Sequence, residues 1–325
     1  MLSFLARRLL QSILVLFVMS LLVFAGVYAI GNPVDILISP QASQADIARA
    51  TAALGLDQPL WLQYWHFIAN AFSGDLGNSF VSNVPAIHLI LQRMPATFEL
   101  ALTAMVISLL FGIPLGLWAG LKPDSFAGRI IMGGSILGFS LPTFWVGLML
   151  IMVFSVWLGW LPPTGRGATV SVFGIELSIF TWDGIKHLLM PATNLALFNL
   201  SLLIRLTRAG AREALTQDYV RFARAKGLSM PRVVAVHVLK NIMIPIVTVM
   251  GLEFGSLIAF AIVTETIFSW PGMGKLLIDS INVLDRPVIV AYLLIVVFLF
   301  TAINLVIDVL YSVLDPRVRL SSRAA

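Results

Sequence analysis

Residue types that carry enzyme chemistry are sparse in this chain, and their spacing fits no common reaction. The histidines have no carboxylate at metal-ligand spacing, and each is interpreted as structural or interfacial: His66, His88, His187 and His237. Cysteine is absent, which excludes disulfides and thiolate metal sites. The fragment nearest to a G-x-x-x-x-G-K-[ST] phosphate loop, residues 272–275, lacks the first glycine and is followed by leucine. The sequence therefore predicts no catalytic residue, no metal site and no nucleotide site.

Acidic residues within apolar segments form a second group of candidates, because a charge in hydrocarbon is costly and usually functional. Glu253 lies near the middle of one such segment, so we expect its side chain to face a partner helix or water. Asp308 lies near the end of another, where pairing with a nearby arginine is the expected role. Glu99, at the start of the apolar segment 97–121, is expected to lie at the membrane interface.

The third candidate is a basic stretch, DYVRFARAKGLSMPRVVAVHVLKNIMIPI at residues 218–246, which predicts two helices with a sharp break. Gly227 is placed to end the first helix in a left-handed conformation. Ser229 is placed to cap the second helix, which has Pro231 in its first turn. The first helix is amphipathic, with Leu215, Tyr219, Phe222, Ala223 and Lys226 on one side and Gln217, Arg221 and Arg224 on the other.

The residues alone leave two interpretations of this stretch open. A basic amphipathic helix can rest on anionic lipid headgroups, or it can dock against another protein. The small residues Ala223, Ala225 and Gly227 favour docking, because they allow a partner backbone to approach closely. Leu228 and Val233 occupy the positions of a hydrophobic staple, which would hold the second helix at a defined angle.

Composition predicts that membrane helices hold these candidate residues in place. Hydrophobic residues make up 59% of the chain and charged residues 11%, against about a quarter charged in soluble domains. Six segments are long and apolar enough to cross about 30 Å of hydrocarbon, namely residues 9–30, 97–121, 130–158, 187–206, 242–264 and 288–311. The first is longer than a signal-peptide core, so it is expected to be retained. The chain is predicted to be an all-α membrane protein with six transmembrane helices.

Basic residues predict the orientation in the membrane. Stretches 1–8, 122–129, 205–241 and 312–325 share one side in this topology, and they hold 15 of the 21 lysines and arginines. The positive-inside rule places these stretches, and with them both termini, in the cytoplasm. The net charge of +5 is mostly this topological signal and gives no support to nucleic-acid binding.

The external loop formed by residues 31–96 carries local signals of its own. It predicts helices over residues 43–54, 57–72 and 85–93, with a turn at 74–77. The many aromatic residues of the second helix suit either the lipid headgroups or a small packed external cap.

Other signals are shorter. Residues 170–179 alternate around Phe173-Gly174 as in a β-hairpin. Pro271-Gly272 is typical of a type II turn. Glycines and prolines within the second and third spans indicate either close helix packing or kinks.

These motifs resemble the permeases of ABC-type importers, specifically the dipeptide, oligopeptide and nickel group. The basic stretch matches through ARAKG at 223–227, His237, Asn241 and Pro245. Further motifs follow in the family order along nearly the whole chain: FLARRLLQSILVLF near the start, GLDQPL at 55–60, GDLGNS at 74–79, ETIFSWPGMGKL at 265–276 and NLVIDVLYSVLDPRVR at 304–319. Arg221 and Phe222 stand where the broader importer pattern has Glu-Ala, a departure that is common in the peptide subgroup.

The resemblance implies a type I ABC importer permease fold in a bacterial inner membrane. It divides the chain into an N-terminal membrane helix (1–30), an external loop (31–96), a core of five membrane helices (97–311) that contains a cytoplasmic coupling segment (208–241), and a tail (312–325). The coupling residues implied are Tyr219, Arg221, Ala223, Arg224, Ala225, Lys226, Gly227 and Leu228. The pathway or gate residues implied are Glu253, Glu265, Pro271 and Gly272.

The same resemblance implies partners. These are a second, similar permease, two cytoplasmic ATPases that hold ATP and Mg, an external substrate-binding protein and membrane lipid, with no cofactor on this chain. Small peptides, glutathione-like compounds and chelated nickel are the expected substrate classes. A proton-coupled secondary transporter using Glu253 and Asp308 is an alternative, but the inverted repeats it needs are not visible in the sequence. A membrane-embedded enzyme is disfavoured by the missing site chemistry.

Overall fold

Helices dominate the computed structural model, which describes residues 2–29, 43–53 and 56–314. In chain order they are α1 (Leu2–Ala29), α2 (Gln44–Ala53), α3 (Leu60–Phe72), α4 (Ala86–Leu121), α5 (Phe126–Ser140), α6 (Thr143–Leu150), α7 (Trp182–Thr216), α8 (Asp218–Ala225), α9 (Met230–Val233), α10 (Leu239–Phe260), α11 (Ile262–Ile267), α12 (Met273–Asn282) and α13 (Arg286–Leu314). Two π-helical stretches, π1 (Ile151–Trp157) and π2 (Val234–Val238), continue α6 and α9. Two short strands, β1 (Val170–Val172) and β2 (Ile175–Leu177), complete the described elements.

Within the described residues, five helices are long and apolar enough to cross a membrane: α1, α4, α7, the run from α9 through α10, and α13. The predicted third span has a different form, because α5 and the run from α6 through π1 are bent by 110°. Leu141 at the bend is extended (φ −77°, ψ 135°), since a residue before proline is sterically displaced from the helical region. The bent pair supplies a sixth crossing if its two limbs form one span.

Two predicted boundaries differ from the structure. Residues 85–93 do not form a separate amphipathic helix, because α4 runs without a break from Ala86 to Leu121. Pro95 and Pro114 lie inside that helix, as membrane helices allow when neighbouring groups satisfy the freed backbone. The helix α7 likewise continues to Thr216, well beyond the predicted fourth span.

The described residues form two compact units, of which the first contains Pro95–Lys275 and residues 303–314. Its core depends on close contact between α4 and α7 along a row of small residues. A Cβ added to Gly116 would lie 2.6 Å from the Thr207 Cβ and 2.8 Å from the Ile204 carbonyl oxygen. Gly112 and Gly120 are similarly close to α7. Of the two explanations for the glycines of this span, close packing is therefore the one that the structure supports.

The first unit also contains the predicted hairpin. β1 and β2 pair antiparallel, with Val170 opposite Leu177 and Val172 opposite Ile175. Phe173 and Gly174 both have positive φ angles, 52° and 81°. Positive φ at both central residues is the requirement of a type I′ turn, which matches the twist of the flanking strands.

The second unit contains Leu2–Met94 and Leu276–Ala302. In it α3 packs against α1, where the Tyr64 hydroxyl and the Ser20 hydroxyl form a 2.8 Å hydrogen bond and the Tyr64 and Phe24 rings meet edge to face. Trp61 and Trp65 on α3 remain exposed. This aromatic helix thus packs against α1 on one side and exposes large aromatic side chains on the other.

A second contact in this unit joins the turn after α3 to the residue before α13. Ser79 donates a 2.5 Å hydrogen bond to the Asp285 carboxylate, and the Phe80 backbone N–H donates a 3.0 Å bond to the other oxygen of that carboxylate. Asp285 precedes α13, so it ties the turn after α3 to the start of the last helix.

Candidate functional site

The basic stretch folds as two helices joined by a tight turn, as its sequence predicts. α8 ends at Ala225, and Gly227 has a φ of +79°. The Leu228 N–H donates to the Ala223 carbonyl at 3.3 Å, and the Gly227 N–H donates to the Arg224 carbonyl at 2.9 Å. This pair of bonds around a left-handed glycine is the Schellman motif, which satisfies the last carbonyls of a helix.

The second helix begins at the predicted residue, although its cap differs in detail. Ser229 is extended and precedes α9, but its hydroxyl donates or accepts no capping bond there. The first turn is closed by the backbone, with the Val233 N–H donating to the Ser229 carbonyl at 3.0 Å. From Met230 the helix continues through π2 into α10.

Within the coupling segment, one side of residues 218–238 is anchored in the first unit. Val220, Ala223, Val233 and Val238 are buried. They belong to one apolar cluster with residues near the cytoplasmic end of α7 and in α10: Leu203, Ala211, Ala214, Ile242, Ile246 and Met250. Leu228 packs against the same cluster, in agreement with the predicted staple. A displacement of α8 would therefore be transmitted to both membrane helices.

The other side of the coupling segment exposes large side chains. Phe222 is 62% exposed and Tyr219 is 39% exposed. The Lys226 ammonium lies 4.5 Å from the centre of the Phe222 ring, and the Arg221 guanidinium is 3.7 Å from the Asp218 carboxylate in an exposed pair. An exposed aromatic pair framed by cations is a surface that suits docking.

The predicted amphipathic pattern was wrong in one respect. It grouped Ala223 with Tyr219 and Phe222, whereas the structure buries Ala223 and exposes the two aromatic residues. The helix begins afresh at Asp218 after a break at Gln217, so Leu215 belongs to α7 and cannot define the buried side. Val220, which the prediction left out, is fully buried, and together with Ala223 it forms the buried apolar side of α8.

A second cluster lies around Glu265 in α11, beyond the end of α10. Its carboxylate is fully buried and accepts a 2.6 Å bond from the Thr97 hydroxyl and a 3.0 Å bond from the Lys275 backbone N–H. The Thr97 hydroxyl in turn accepts from the Met273 N–H at 2.8 Å. Burial raises the pKa of the Glu265 carboxyl, and these hydrogen bonds only partly oppose the rise.

Pro271 and Gly272 do not form the predicted type II turn. Such a turn needs a positive φ at Gly272, and the positive φ in this segment is instead at Ser269 (46°). Gly272 is buried against the Glu265 carboxylate, with no room for a Cβ. A glycine is required there because of this close approach rather than because of backbone conformation.

Trp270 completes the Glu265 cluster. It is fully buried, and its indole N–H donates to the Ala96 carbonyl at 2.8 Å. The segment from Glu265 to Lys275 is thus bound to the start of the 97–121 span through Ala96 and Thr97. It is a packed element, not a plain connecting turn.

Glu99 forms a third cluster that the sequence did not reveal. Glu99 is buried, and its carboxylate accepts from the Arg166 guanidinium at 2.6 Å and from the Ser178 N–H, also at 2.6 Å. The Ile179 N–H donates to the same carboxylate at 2.8 Å. Arg166 is 67 residues away in sequence, so no local pattern could have indicated this pair.

Glu253 lies in α10 and is half-buried. Its carboxylate has no hydrogen bond or ion pair with any other residue that the structure describes. The structure does not bring it together with the Glu265 cluster, so the predicted pathway residues fall into two groups. Residues 2–29, 43–53 and 56–314 also contain no group of three or more His, Asp or Glu that could hold a metal ion.

This geometry is that of a multi-pass membrane protein with a short helix that is anchored on one side and exposed on the other. Residues 112–320 match the family profile described as binding-protein-dependent transport system inner membrane component. Residues 1–101 match the profile of the N-terminal part of such membrane components. The chain belongs to this family, the inner-membrane permease subunits of ABC importers. That membership replaces the secondary-transporter alternative.

Individual relatives extend over almost the whole chain. The di/tripeptide transport system permease protein DppB of Pseudomonas aeruginosa (strain UCBPP-PA14) is 42% identical, over 98% of this chain and 99% of the relative. The glutathione transport system permease protein GsiC of Escherichia coli (strain K12) is 41% identical over the same shares. Among solved structures, a chain of the MetNI methionine ABC transporter in an inward-facing conformation has a TM-score of 0.53 at 12% identity, covering 70% of this chain and 96% of that one. That structure supports the importer permease fold.

Proposed function

We propose that this permease carries small peptides or peptide-like solutes, such as dipeptides, oligopeptides or glutathione, into the cytoplasm. Two relatives of more than 40% identity over nearly full length are named for di/tripeptide and glutathione transport. The chain works with a second, similar permease as a heterodimer, with two cytoplasmic ATPases that hold ATP and Mg, and with an external binding protein. It supplies the pathway and no catalytic group.

The proposed coupling of the ATPases to the membrane helices rests on one observation, which is that the coupling segment has an exposed side and a buried side. Its outer side exposes Phe222 and Tyr219. Its inner side buries Val220 and Ala223 among side chains of α7 and α10. Packed cores move as units and do not deform continuously. A partner that grips the outer side can therefore move both membrane helices.

The transport cycle follows from that connection. ATP binding draws the two ATPases together, and residues 219–228 follow the ATPase surface in which they sit. The motion passes into α7 and α10 and exposes the pathway alternately to each side of the membrane. The residues assigned to the ATPase contact are those exposed on the outer side, namely Tyr219, Arg221, Phe222, Arg224, Ala225, Lys226 and Gly227. Ala223 and Leu228, which the resemblance also implied, belong to the inner side.

Two further groups are assigned to the pathway. Glu253 presents a half-buried carboxylate without a described partner within α10, and this charge suits the amino end of a peptide. Glu265, with Pro271 and Gly272, stiffens an element at the external end of the fifth span that serves as a gate. The hydrogen bonds from Thr97 and Lys275 hold that element in one arrangement.

Site-specific cross-linking tests the ATPase contact directly. The chain contains no cysteine, so one introduced thiol is unique within it. Phe222→Cys, carrying a short photoreactive cross-linker in the assembled transporter, is expected to join an ATPase subunit. Phe126→Cys is the matched control, because Phe126 is 75% exposed at the start of α5 on the same side of the predicted topology. Cross-linking of Phe126→Cys but not Phe222→Cys would refute the assignment.

Uptake into proteoliposomes tests the substrate class. Labelled dipeptide or glutathione is expected to accumulate only with ATP and the binding protein, and Glu253→Gln is expected to reduce uptake of a peptide with a free amino end more than that of its N-acetylated form. Equal loss for both peptides would remove Glu253 from substrate contact. Accumulation of a nickel chelate but of no peptide would overturn the proposed substrate class.

A further inference from the structure

A cavity of about 600 Å³ lies at the cytoplasmic end of α7. Its lining includes Arg205, Arg208 and Arg212, together with Met132 from α5. The arginine spacing of three and four residues places all three on one side of α7. Glu213 is the one acidic residue in the lining, so the cavity carries a net positive charge.

No hydrogen bond or ion pair joins these arginine side chains to another residue that the structure describes. The Nε atoms of Arg205 and Arg208 are buried without a hydrogen bond, and none of the three side chains forms an ion pair with another residue in the described ranges. The Arg205 guanidinium lies 4.3 Å from the centre of the Phe139 ring, which fixes its position. A buried Nε–H donor without an acceptor is unfavourable, so these two side chains are suited to pairing with an anion.

The depth of the cavity follows from a contact between α4 and α7. A Cβ on Gly120 would lie 3.1 Å from the Arg208 carbonyl oxygen, so Arg208 is level with the last turn of α4. Arg205 is about one turn deeper, and Arg212 about one turn nearer the cytoplasm. This is the depth of the lipid phosphates on the side that the positive-inside rule assigns to the cytoplasm.

We propose that this cavity binds the phosphate group of an anionic phospholipid from the cytoplasmic leaflet. The planar guanidinium fork pairs with phosphate oxygens through two parallel hydrogen bonds. Basic pockets between membrane helices on this side are suited to lipid headgroups. Phe139, which is 42% exposed, and Met132 offer apolar surface for the glycerol and the start of an acyl chain.

Native mass spectrometry of the purified full-length chain tests this proposal. Titration with phosphatidylglycerol is expected to show a bound lipid that phosphatidylcholine does not replace. Arg205→Gln and Arg208→Gln are each expected to weaken binding about five-fold, which corresponds to about 1 kcal/mol per arginine. Arg129→Gln is the matched control, because Arg129 is an exposed arginine on the same side that does not line the cavity.

Three results would overturn the proposal. Equal losses for Arg129→Gln and Arg208→Gln would mean general charge attraction without a site. Full competition by inorganic phosphate would mean a site for the free anion. Weaker association with the second permease in Arg205→Gln, at unchanged lipid binding, would assign the arginines to a carboxylate of that protein.

Folding of the variants is controlled by thermal unfolding and gel filtration of each purified protein. Arg208→Lys keeps the charge but loses the bidentate geometry, so it tests the site even if a glutamine variant does not fold. It is expected to bind phosphatidylglycerol more weakly than the unchanged chain. Unchanged affinity in Arg208→Lys would contradict a guanidinium–phosphate contact.

Discussion

Replacement of Gly227 by valine is expected to separate ATP hydrolysis from transport. Gly227 is exposed, and a Cβ at this position would meet nothing within 4 Å. Steric crowding therefore cannot be the reason for a defect. The reason is the backbone, since Gly227 ends α8 at a φ of +79°, a conformation that a β-branched residue rarely adopts.

The size of the effect follows from that angle. Left-handed backbone costs an ordinary L-residue about 1–2 kcal/mol, and valine pays at least the upper part of this range. About 1–2 kcal/mol shifts the balance between the native turn and other turns by roughly 5- to 30-fold. Leu228, which packs against the apolar cluster directly after the turn, would then lose its position. The outer side of α8 would no longer be aligned with the ATPase.

The assay uses the transporter assembled with its ATPases and binding protein in proteoliposomes. Gly227→Val is expected to abolish substrate uptake and to reduce ATPase stimulation by the loaded binding protein to the basal rate. Membrane insertion is expected to be unchanged. Gly227→Asn is expected to retain most of both activities, because asparagine tolerates the left-handed region.

A matched control is available at the hairpin. Gly174 has a φ of +81° and equally open surroundings, so Gly174→Val carries the same backbone cost away from the coupling segment. It is expected to leave coupling intact. Normal stimulated ATP hydrolysis in Gly227→Val, or equal defects in Gly227→Asn and Gly227→Val, would refute the reasoning.

Three further predictions concern stability, each checked by thermal unfolding in detergent. Gly116→Ala should destabilise the fold by about 1–3 kcal/mol, because the added methyl group overpacks against α7. Gly134→Ala should not destabilise it, because a Cβ at Gly134 meets nothing within 4 Å. Equal effects of the two substitutions would disprove the close-contact explanation. Arg166→Ala should destabilise by about 3 kcal/mol because it leaves the Glu99 carboxylate buried and unpaired, and a loss below about 1 kcal/mol would contradict that role. Folding raises the pKa of Glu265, so the folded chain holds this proton more tightly than the unfolded chain does. The contribution of Glu265 to the free energy of unfolding is therefore largest below the ordinary pKa of 4.5, and it declines as the pH rises to the folded pKa. Glu265→Gln should lose that pH dependence, and an unchanged profile would rule out Glu265 as its source.

Local chemistry explains what could be predicted near the coupling segment. Gly227 and the residues at Phe173-Gly174 dictate their own turns, because only a few residue types accept positive φ. The same local reasoning was wrong at Gly272, where glycine is needed for proximity to the Glu265 carboxylate. A type II turn and a close approach both call for glycine, and the sequence does not distinguish them.

Composition and local motifs were enough to predict the membrane location, the number and order of the apolar segments and the two helices of the coupling segment. These properties depend on composition over about 20 residues or on single turns, which neighbouring residues define without help from distant ones. Four features could be seen only in the folded chain: the buried face of α8, the 110° bend within the predicted third span, the pairing of Glu99 with Arg166 and the burial of the Arg205 and Arg208 Nε atoms on α7. Each of these depends on contacts between helices far apart in sequence, and local periodicity carries no information about which helices become neighbours.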